Sequence, residues 1–449
     1  MLRDKPSPPV DQQGSARIVL ANRVRPPTLP YRTLNGHERE VKPSSDRPVL
    51  LNLWASWCQP CLVELNSWNE AAEHLKSSVD VVALNVDVLD DGTDSEDAQA
   101  AARQRQMAWS FDVGLATNDM VDMLSIAADA LVDKPQPLVV PTSFLLDKQG
   151  RIAVVYRGAV SVEQLLDDVK QIDGTAEENR DLAAHFPGKW FDAPLPSDPS
   201  VLLKKLLVRG RLEAANDYLQ NWIDAEAKGP TVESLYLVAD AQRQNGELEK
   251  AAKLLKQAHA IDPIQPRVNL DLAICLMNMR QIEEAIPYLE TALAGDPQNN
   301  DTRKRLVIAC SQTKAYPTME LHARVLVNND EEDLVARMHL AHALKKQGKY
   351  RAALSQYHIS AQQQPDSLLA MNDLAWLLAT CPDDTIRNGQ EALRIAQTAC
   401  KSTDHKQPAL LDTLAAAQAE AGKFEEAAST LRTAIALAVA MKQPHLEAI

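Results

Sequence analysis

Two cysteines three positions apart, in Trp57-Cys58-Gln59-Pro60-Cys61, are the residues of this chain whose type and spacing call for specific chemistry. A thiolate is a nucleophile, and a pair at this spacing can form a disulfide and exchange it with another. The pair follows the apolar run Pro48 to Trp54, which reads as a buried central strand. It precedes a segment with Leu62, Leu65, Trp68 and Ala72 at helical spacing. That context puts Cys58 at a helix start, where free backbone N–H groups and the helix dipole favour negative charge and lower the thiol pKa. Cys58, at the exposed mouth, is then the attacking sulfur, and Cys61, one turn inside, resolves the mixed disulfide. The competing uses of the pair are half a zinc site or two inert core thiols. Zinc needs a second ligand pair, whereas His37 and His74 lack a partner motif and His339 and His342 lack a third ligand, so no metal is expected.

The elements that must position this pair can be read in order. The segment from Met1 to about Arg25 opens with Pro6, Pro8 and Pro9, has no apolar core of a secretory signal, and reads as a flexible lead-in over residues 1–26. Within it, Ala16 to Ala21 reads as a remnant strand of an upstream domain. Asn35-Gly36 within alternating residues marks a hairpin, and Val79 to Asp87 a second buried strand. From Asp87 to Asp97 the chain is acidic without a basic residue, a pattern of solvated loop charge ahead of a helical stretch, Ala98 to Met107. Val121 to Leu131 is an amphipathic helix, followed by Lys134-Pro-Gln-Pro137. Thr142 to Leu146, the turn Asp147 to Gly150 and Ile152 to Tyr156 follow as a hairpin, and Ser161 to about Ile172 as a last helix.

Bulk properties bound the function. A length of 449 residues predicts two to four domains, and 4% aromatic residues in an Ala- and Leu-rich chain points to much helix. A net charge of −14 argues against nucleic acid or an anionic membrane surface as partner. No apolar run reaches the ~18 residues of a membrane span.

Trp54-Ala-Ser-Trp-Cys-Gln-Pro-Cys61, with Asn35-Gly36 before it and Val140-Pro141-Thr142-Ser-Phe-Leu-Leu-Asp147 after it, resembles the TlpA/ResA-like thiol-disulfide oxidoreductases of the thioredoxin superfamily over residues 27–175. The resemblance implies a redox-active Cys58–Cys61 disulfide, supported by Trp57 and Pro60, and no other cofactor. It implies that the Val140-Pro141 bond is cis and that Val140 offers its backbone to an extended substrate. An ordinary strand-initiating proline is the alternative. Asn52 stands where classical thioredoxins carry a buried Asp. An amide cannot shuttle a proton, so deprotonating Cys61 must use water or another acid. Glu64 matches a common acidic position of the branch and is either a proton-transfer group or a solvated helix-face carboxylate. Asp87 is the nearest match to a further acid of the family with a proposed proton-handling role. Such proteins mostly work outside the cytoplasm, whereas the chain read literally is cytoplasmic; the two agree if it is the tail of a longer secreted protein.

Composition changes at Phe186 to Pro199, which reads as a linker over residues 176–199. Beyond it an internal period of 34 appears: Gly246, Ala251, Leu255, Ala258, Asp262 and Pro263 recur as Arg280, Ala285, Leu289, Ala292, Asp296 and Pro297. A degenerate copy follows at Met319 to Asp330, and further copies at Gly348 to Pro365, at Ala392 to Ala399 with about five extra residues near Cys381 to Gly389, and at Gly422 to Ala434. Gly210 to Leu219 reads as the second half of a leading repeat. This period, with small residues such as Ala239, Ala273, Ala341, Ala375 and Ala415 at helix crossings, resembles tetratricopeptide repeats. That likeness implies a right-handed superhelix with a concave groove for a protein or peptide ligand. Tyr236, Asp240, Arg243 and Gln244 of one repeat and Met338, His342, Lys345 and Lys346 of another line it, with plain solvation of these faces as the alternative. Cys275 and Cys310 read as small core hydrophobes. Cys381 and Cys400 bracket a helix of roughly 15 Å, too long for a disulfide between them.

The expected fold is thus an α/β thioredoxin-like domain followed by an all-α tetratricopeptide-repeat solenoid over residues 200–449, with about six repeats and a partial leading one. The expected function is thiol-disulfide exchange with protein dithiols and disulfides, the repeats recruiting partners. The alternative is a repeat scaffold whose redox site is a sensor or residual.

Overall fold

Val49–Trp54 and Asp80–Asn85 carry branched and aliphatic residues with few polar positions, the pattern of strands covered on both faces. In the computed structural model they pair in parallel at the middle of a sheet. The structure describes residues 16–43, 47–89, 100, 102–105, 108–131, 137–184, 198–225 and 229–441. Within these, strands β1 (Ala16–Val24), β2 (Pro30–Thr33), β3 (Glu38–Glu40), β4 (Val49–Trp54), β5 (Asp80–Asn85), β6 (Asp112–Leu115), β7 (Thr142–Leu146) and β8 (Ile152–Arg157) form one mixed sheet in the order β1-β8-β7-β4-β5-β6-β2-β3. Helices α1 (Gln59–Glu70), α2 (Ala72–Lys76), α3 (Asn118–Leu131), α4 (Val162–Gln171) and α5 (Ala176–Ala183) accompany it.

The β7-β4-β5 ladder decides where a site can lie. Leu53 pairs with Thr142 across the antiparallel β4-β7 ladder, and Trp54 pairs with Asn85 across the parallel β4-β5 ladder. The C-terminal ends of β4 and β5 and the N-terminal end of β7 therefore open on the same edge of the sheet. From that edge emerge the Cys58 loop, the Asp87 turn and the Val140-Pro141 segment.

Two expectations are corrected. Ala16–Val24 is neither flexible nor the remnant of another domain. It pairs antiparallel with β8, and its two arginines reach buried carboxylates, Arg17 to Asp168 and Arg23 to Asp147. Its partner strand is more than 120 residues away, which local pattern cannot reveal. The linker assigned to residues 176–199 starts with a helix: Thr175 and Glu178 form a capping box for α5, which packs on β1. By its contacts the chain forms two compact units, which run to Glu247 and from Leu248. The acidic residues Asp90 to Asp97, most of the Ala98 to Met107 stretch, Lys134 to Gln136, Phe186 to Ser197 and Met1 to Ser15 lie outside the described residues.

The first unit includes α6 (Ser200–Val208), α7 (Leu212–Ala225) and α8 (Val232–Gln244). α6 packs against α3, α7 and α8, and Leu202, Leu203 and Leu206 are fully buried. Arg211 bonds Asp119 at 3.0 Å and Asp122 at 2.6 Å, and Arg209 reaches Asp129 at 3.4 Å, so two arginines meet three carboxylates along one stripe of α3.

The second unit is a run of helix pairs: α9 (Leu248–Ile261), α10 (Pro266–Asn278), α11 (Ile282–Gly295), α12 (Asn300–Gln312), α13 (Tyr316–Asn329), α14 (Leu334–Lys346), α15 (Tyr350–Gln363), α16 (Leu368–Thr380), α17 (Gly389–Ser402), α18 (Pro408–Glu420) and α19 (Phe424–Ala440). The alanines expected at the crossings are buried, from Ala251 and Ala285 to Ala341, Ala375 and Ala415. The turn closing the first helix of a repeat has a positive φ at Gly246, Arg280, Lys314 and Gly348, every 34 residues. Non-glycine residues at two of these four turns show that the geometry is imposed by packing rather than by residue preference. A second 34-residue device was not foreseen. Asn269, Arg303 and Arg337 each donate to the carbonyl six residues earlier, of Pro263, Pro297 and Glu331, tying the loop between repeats to the next helix. In the repeat with extra residues, a Cβ on Gly389 would lie 2.7 Å from the Ala421 backbone nitrogen, so only glycine allows that approach. The four cysteines here are buried. No helix among the described residues is long and apolar enough to cross a membrane.

Cutting the chain after Pro199 removes α6, which covers α3, whereas cutting after Glu247 leaves the first unit whole. The shorter piece is expected to melt on the order of 5 °C or more below the longer one, given about 1.5–3 kcal/mol for each fully buried leucine lost. Equal melting temperatures by circular dichroism would show that α6 and α7 do not support the sheet domain.

Candidate functional site

Cys58 is the N-cap of α1, with extended backbone (φ −84°, ψ 94°), and Pro60 occupies the first turn, where its missing N–H is not needed. Its Sγ accepts the Cys61 N–H at 3.3 Å, so a backbone donor of the helix start is aimed at this sulfur. The two cysteines form a disulfide, their Cα atoms 5.3 Å apart. Cys58 is less open than expected at 4% exposure, because it packs in the core cluster with Trp54, Leu65 and Trp68. Cys61 is fully buried, whereas the neighbouring Trp57 is open, at 69% exposure.

The Val140-Pro141 bond is cis, Val140 packs against the same core cluster, and Val139 is exposed. Because Thr142 pairs with Leu53, Pro141 is placed alongside the end of β4 from which the Cys58 loop leaves.

Glu64 is not a solvated helix-face carboxylate. It shares the buried stripe of α1 with Cys61, Leu65 and Trp68, the i, i+3, i+4, i+7 spacing that could have revealed it from sequence. Its Oε1 accepts the Val160 N–H at 2.7 Å and its Oε2 accepts from Asn52 Nδ2 at 3.2 Å. Asn52 Nδ2 also reaches Ser143 Oγ at 2.9 Å, while Asn52 Oδ1 is buried without a partner. Burial pushes the Glu64 carboxyl up to about 8, against the opposing pull of the Val160 and Asn52 hydrogen bonds. Ser143 and the Val160 amide are members of this cluster that sequence reasoning missed.

Asp87 is also buried rather than solvated. Its carboxylate accepts the Ser56 N–H at 3.0 and 3.1 Å and the Asn85 amide at 3.0 Å, which ties the end of β5 to the loop leading into Cys58. Below the same edge, Trp54 meets Trp109 edge to face at 5.3 Å, and Trp109 donates to Asn66 of α1 at 2.9 Å.

The residues expected to line a partner groove fall in both compact units. In the first, Tyr236 is buried, not open, and Asp240 is held by Arg243 and Gln244. In the second, Met338 is buried as well. His342 is half-buried against the Tyr316 ring at 6.0 Å, and Lys345 Nζ lies 5.7 Å from the centre of the Tyr357 ring. Burial lowers the Lys345 pKa, opposed by Asp373, and lowers that of His342, helped by Lys345, Lys346 and His339. No group of three or more His, Cys, Asp or Glu among the described residues could hold a metal.

Comparison with known proteins agrees with this two-part architecture. Residues 25–155 match the AhpC/TSA family, and residues 242–301, 203–266 and 339–381 match tetratricopeptide repeat families. The chain therefore carries a redoxin domain followed by tetratricopeptide repeats. Thiol-disulfide oxidoreductase ResA of Bacillus anthracis is 26% identical over 154 residues, spanning 32% of this chain and 75% of that protein. Thioredoxin-like protein YneN of Bacillus subtilis (strain 168) is 28% identical over 144 residues, spanning 31% and 76%. Among solved structures, YrrB, described as a TPR protein with an unusual peptide-binding site, aligns with 41% of this chain and 91% of its own, at 18% identity and a TM-score of 0.35.

The raised Glu64 pKa fixes a pH dependence. The folded chain holds this proton up to about pH 8, whereas an exposed carboxyl releases it near 4.5. Folding therefore binds a proton between these values, and stability falls as pH rises through that window. Glu64→Gln removes the titration, so the difference in Tm between pH 5 and pH 8.5 is expected to shrink by several degrees relative to the parent. An unchanged pH profile would mean that Glu64 titrates normally.

Proposed function

We propose that this chain is a thiol-disulfide oxidoreductase that acts on protein disulfides through Cys58 and Cys61, with its repeats recruiting the protein partner. The observation that carries this reading is the Cys58–Cys61 disulfide at the start of α1, at the sheet edge it shares with Val140-Pro141, with the carboxyl of Glu64 buried on the same stripe as Cys61. The likeness to ResA supports it.

In the reducing direction, the Cys58 thiolate attacks one sulfur of a substrate disulfide. The substrate S–S bond breaks, a mixed disulfide to Cys58 forms, and the departing sulfur leaves as a thiolate that takes a proton from solvent. Cys61 then loses its proton and attacks Cys58 Sγ. The Cys58–Cys61 bond forms as the second substrate thiolate departs. The substrate gains two electrons, and the enzyme pair is oxidised until a dithiol donor reduces it. Asn52 cannot take the Cys61 proton, but Glu64 can when ionised, and a carboxyl titrating near 8 is matched to a thiol. The Cys61 N–H favours the thiolate on Cys58 in both half-reactions. Exposed Trp57 and Val139 beside the nearly closed Cys58 favour a substrate with apolar surface around its disulfide, hence a protein over a small molecule.

Cys61→Ser should halt the cycle at the mixed disulfide, so that partner proteins remain bound through Cys58 and are released by dithiothreitol. In the reduced parent, iodoacetamide at mildly acidic pH should label Cys58 well ahead of Cys61, Cys275, Cys310, Cys381 and Cys400. No trapped species, together with no preference in labelling, would leave the repeats as a scaffold and the redox pair as residual.

A further inference from the structure

Asn52 on β4 and Ser143 on β7 are partners across the β4-β7 ladder, and both are fully buried. Each hydrogen bond that reaches Glu64 comes from a donor, the Val160 N–H to Oε1 at 2.7 Å and Asn52 Nδ2 to Oε2 at 3.2 Å. The second hydrogen of Asn52 Nδ2 goes to Ser143 Oγ at 2.9 Å, and Asn52 Oδ1 is left without a partner. Such a set of donors suits an ionised carboxyl. A proton on Glu64 finds no acceptor among these groups, yet burial keeps the carboxyl protonated up to about pH 8. Hydrogen bonding is thus arranged for one protonation state while burial favours the other. Among the described residues no charged side chain contributes to the raised Glu64 pKa. Tyr156, the neighbour of Ser143 on β8, gives its hydroxyl to Asp168, which is itself paired with Arg17.

A half-turn of the Asn52 amide removes the conflict, because it brings an accepting oxygen to where a donating nitrogen stood. Protonated Glu64 then donates to Asn52 Oδ1. The Ser143 hydroxyl, which can accept or donate, turns its own hydrogen to the same oxygen. One end of the amide is unpartnered in either orientation, so the balance between the two lies with Glu64 and Ser143. Without the hydroxyl the two states suffer unequally. The ionised state is left with a buried N–H unpaired, whereas in the protonated state Oδ1 keeps one of its two donors.

We propose that Ser143 is a positioning residue of the redox site, whose hydroxyl lets the Asn52 amide turn with each proton that Glu64 gains or loses. The amide donates to Glu64 before this carboxylate takes the Cys61 proton, and accepts from it afterwards. When a dithiol donor reopens the Cys58–Cys61 bond, the proton returns to the Cys61 thiolate and the amide turns back. The inference rests on the proposed role of Glu64 as acceptor of the Cys61 proton.

The test uses the reduced full-length chain and the aromatic disulfide dithiobis(nitrobenzoate) in a stopped-flow spectrometer. Attack by Cys58 releases one nitrothiobenzoate and leaves a mixed disulfide, and attack by Cys61 releases the second, so the later phase reads Cys61 as pH is varied. Ser143→Ala should move the midpoint of that phase upward by about one pH unit, which slows it ~10-fold at neutral pH. Ser143→Thr, which keeps the hydroxyl, should restore the parent profile. On a Glu64→Gln background Ser143→Ala should have no further effect on the profile, because the hydroxyl acts through that carboxyl. If Glu64→Gln alters the profile but Ser143→Ala keeps the parent midpoint, or slows the phase equally at every pH, this inference is overturned and the role of Glu64 stands. A Glu64→Gln profile equal to that of the parent would overturn both.

Discussion

A carboxyl group buried among apolar residues must be hydrogen-bonded or neutral, and in this redoxin domain Glu64 is made to be both. Its two oxygens tie α1 to the Val160 amide ahead of α4 and to Asn52 on β4, and Asn52 continues to Ser143 on β7. One side chain thus links the helix that carries Cys58 and Cys61 to the strand before it and to the strand that follows Pro141. Loss of any of these contacts would leave buried polar atoms unpaired, at a cost of about 1–3 kcal/mol each, so the cluster fixes the register of the three elements as firmly as the apolar packing around it. The same hydrogen bonds that hold the architecture hold a titratable proton on the buried stripe of the redox helix, so the structural and chemical uses of Glu64 cannot be separated.

Buried polar ties recur wherever distant segments must be kept. Asp87 holds the Cys58 loop by the Ser56 amide, Asp168 gathers Arg17 and Tyr156, and Asp147 gathers Arg23 and Arg151. The last two fasten β1, an outer strand that the sequence leaves without a strong signature. The leading helical hairpin is joined to the sheet domain in the same manner, through aspartates of α3, although these pairs are partly exposed. Exposed pairs are worth little individually, so the buried leucines of α6 supply the binding and the arginines its orientation.

The repeat unit achieves order by another route. Each repeat is stabilised by the next, through alanines where helices cross and through polar groups that clamp the intervening loop. Arg280 and Lys314 adopt left-handed turns where sister repeats have glycine, which shows neighbour packing overriding local preference.

Much of this was legible in the chain itself. Cys58-Gln-Pro-Cys61 between an apolar run and a helical stripe placed the disulfide and its N-cap, Asn35-Gly36 and Asp147 to Gly150 marked turns, and the 34-residue period of small residues gave the helix pairs. These are local signals, set by spacing within one element or by repetition of one unit. The pairing of β1 with β8 was not legible, nor was the helix after Thr175 read from its capping pair, nor the fastening of α6 to α3. Tyr236 and Met338, read as groove residues, are buried. Glu64 and Asp87 were weighed as solvated because a carboxylate in isolation prefers water. Whether such a group is exposed depends on partners supplied by other elements, Val160 from 96 residues away and Ser56 from 31. The sequence determined which residues could do chemistry and where the repeating units lie. Only the tertiary structure decided which carboxylates are enclosed, because desolvation is a property of everything that surrounds a group and not of its neighbours along the chain.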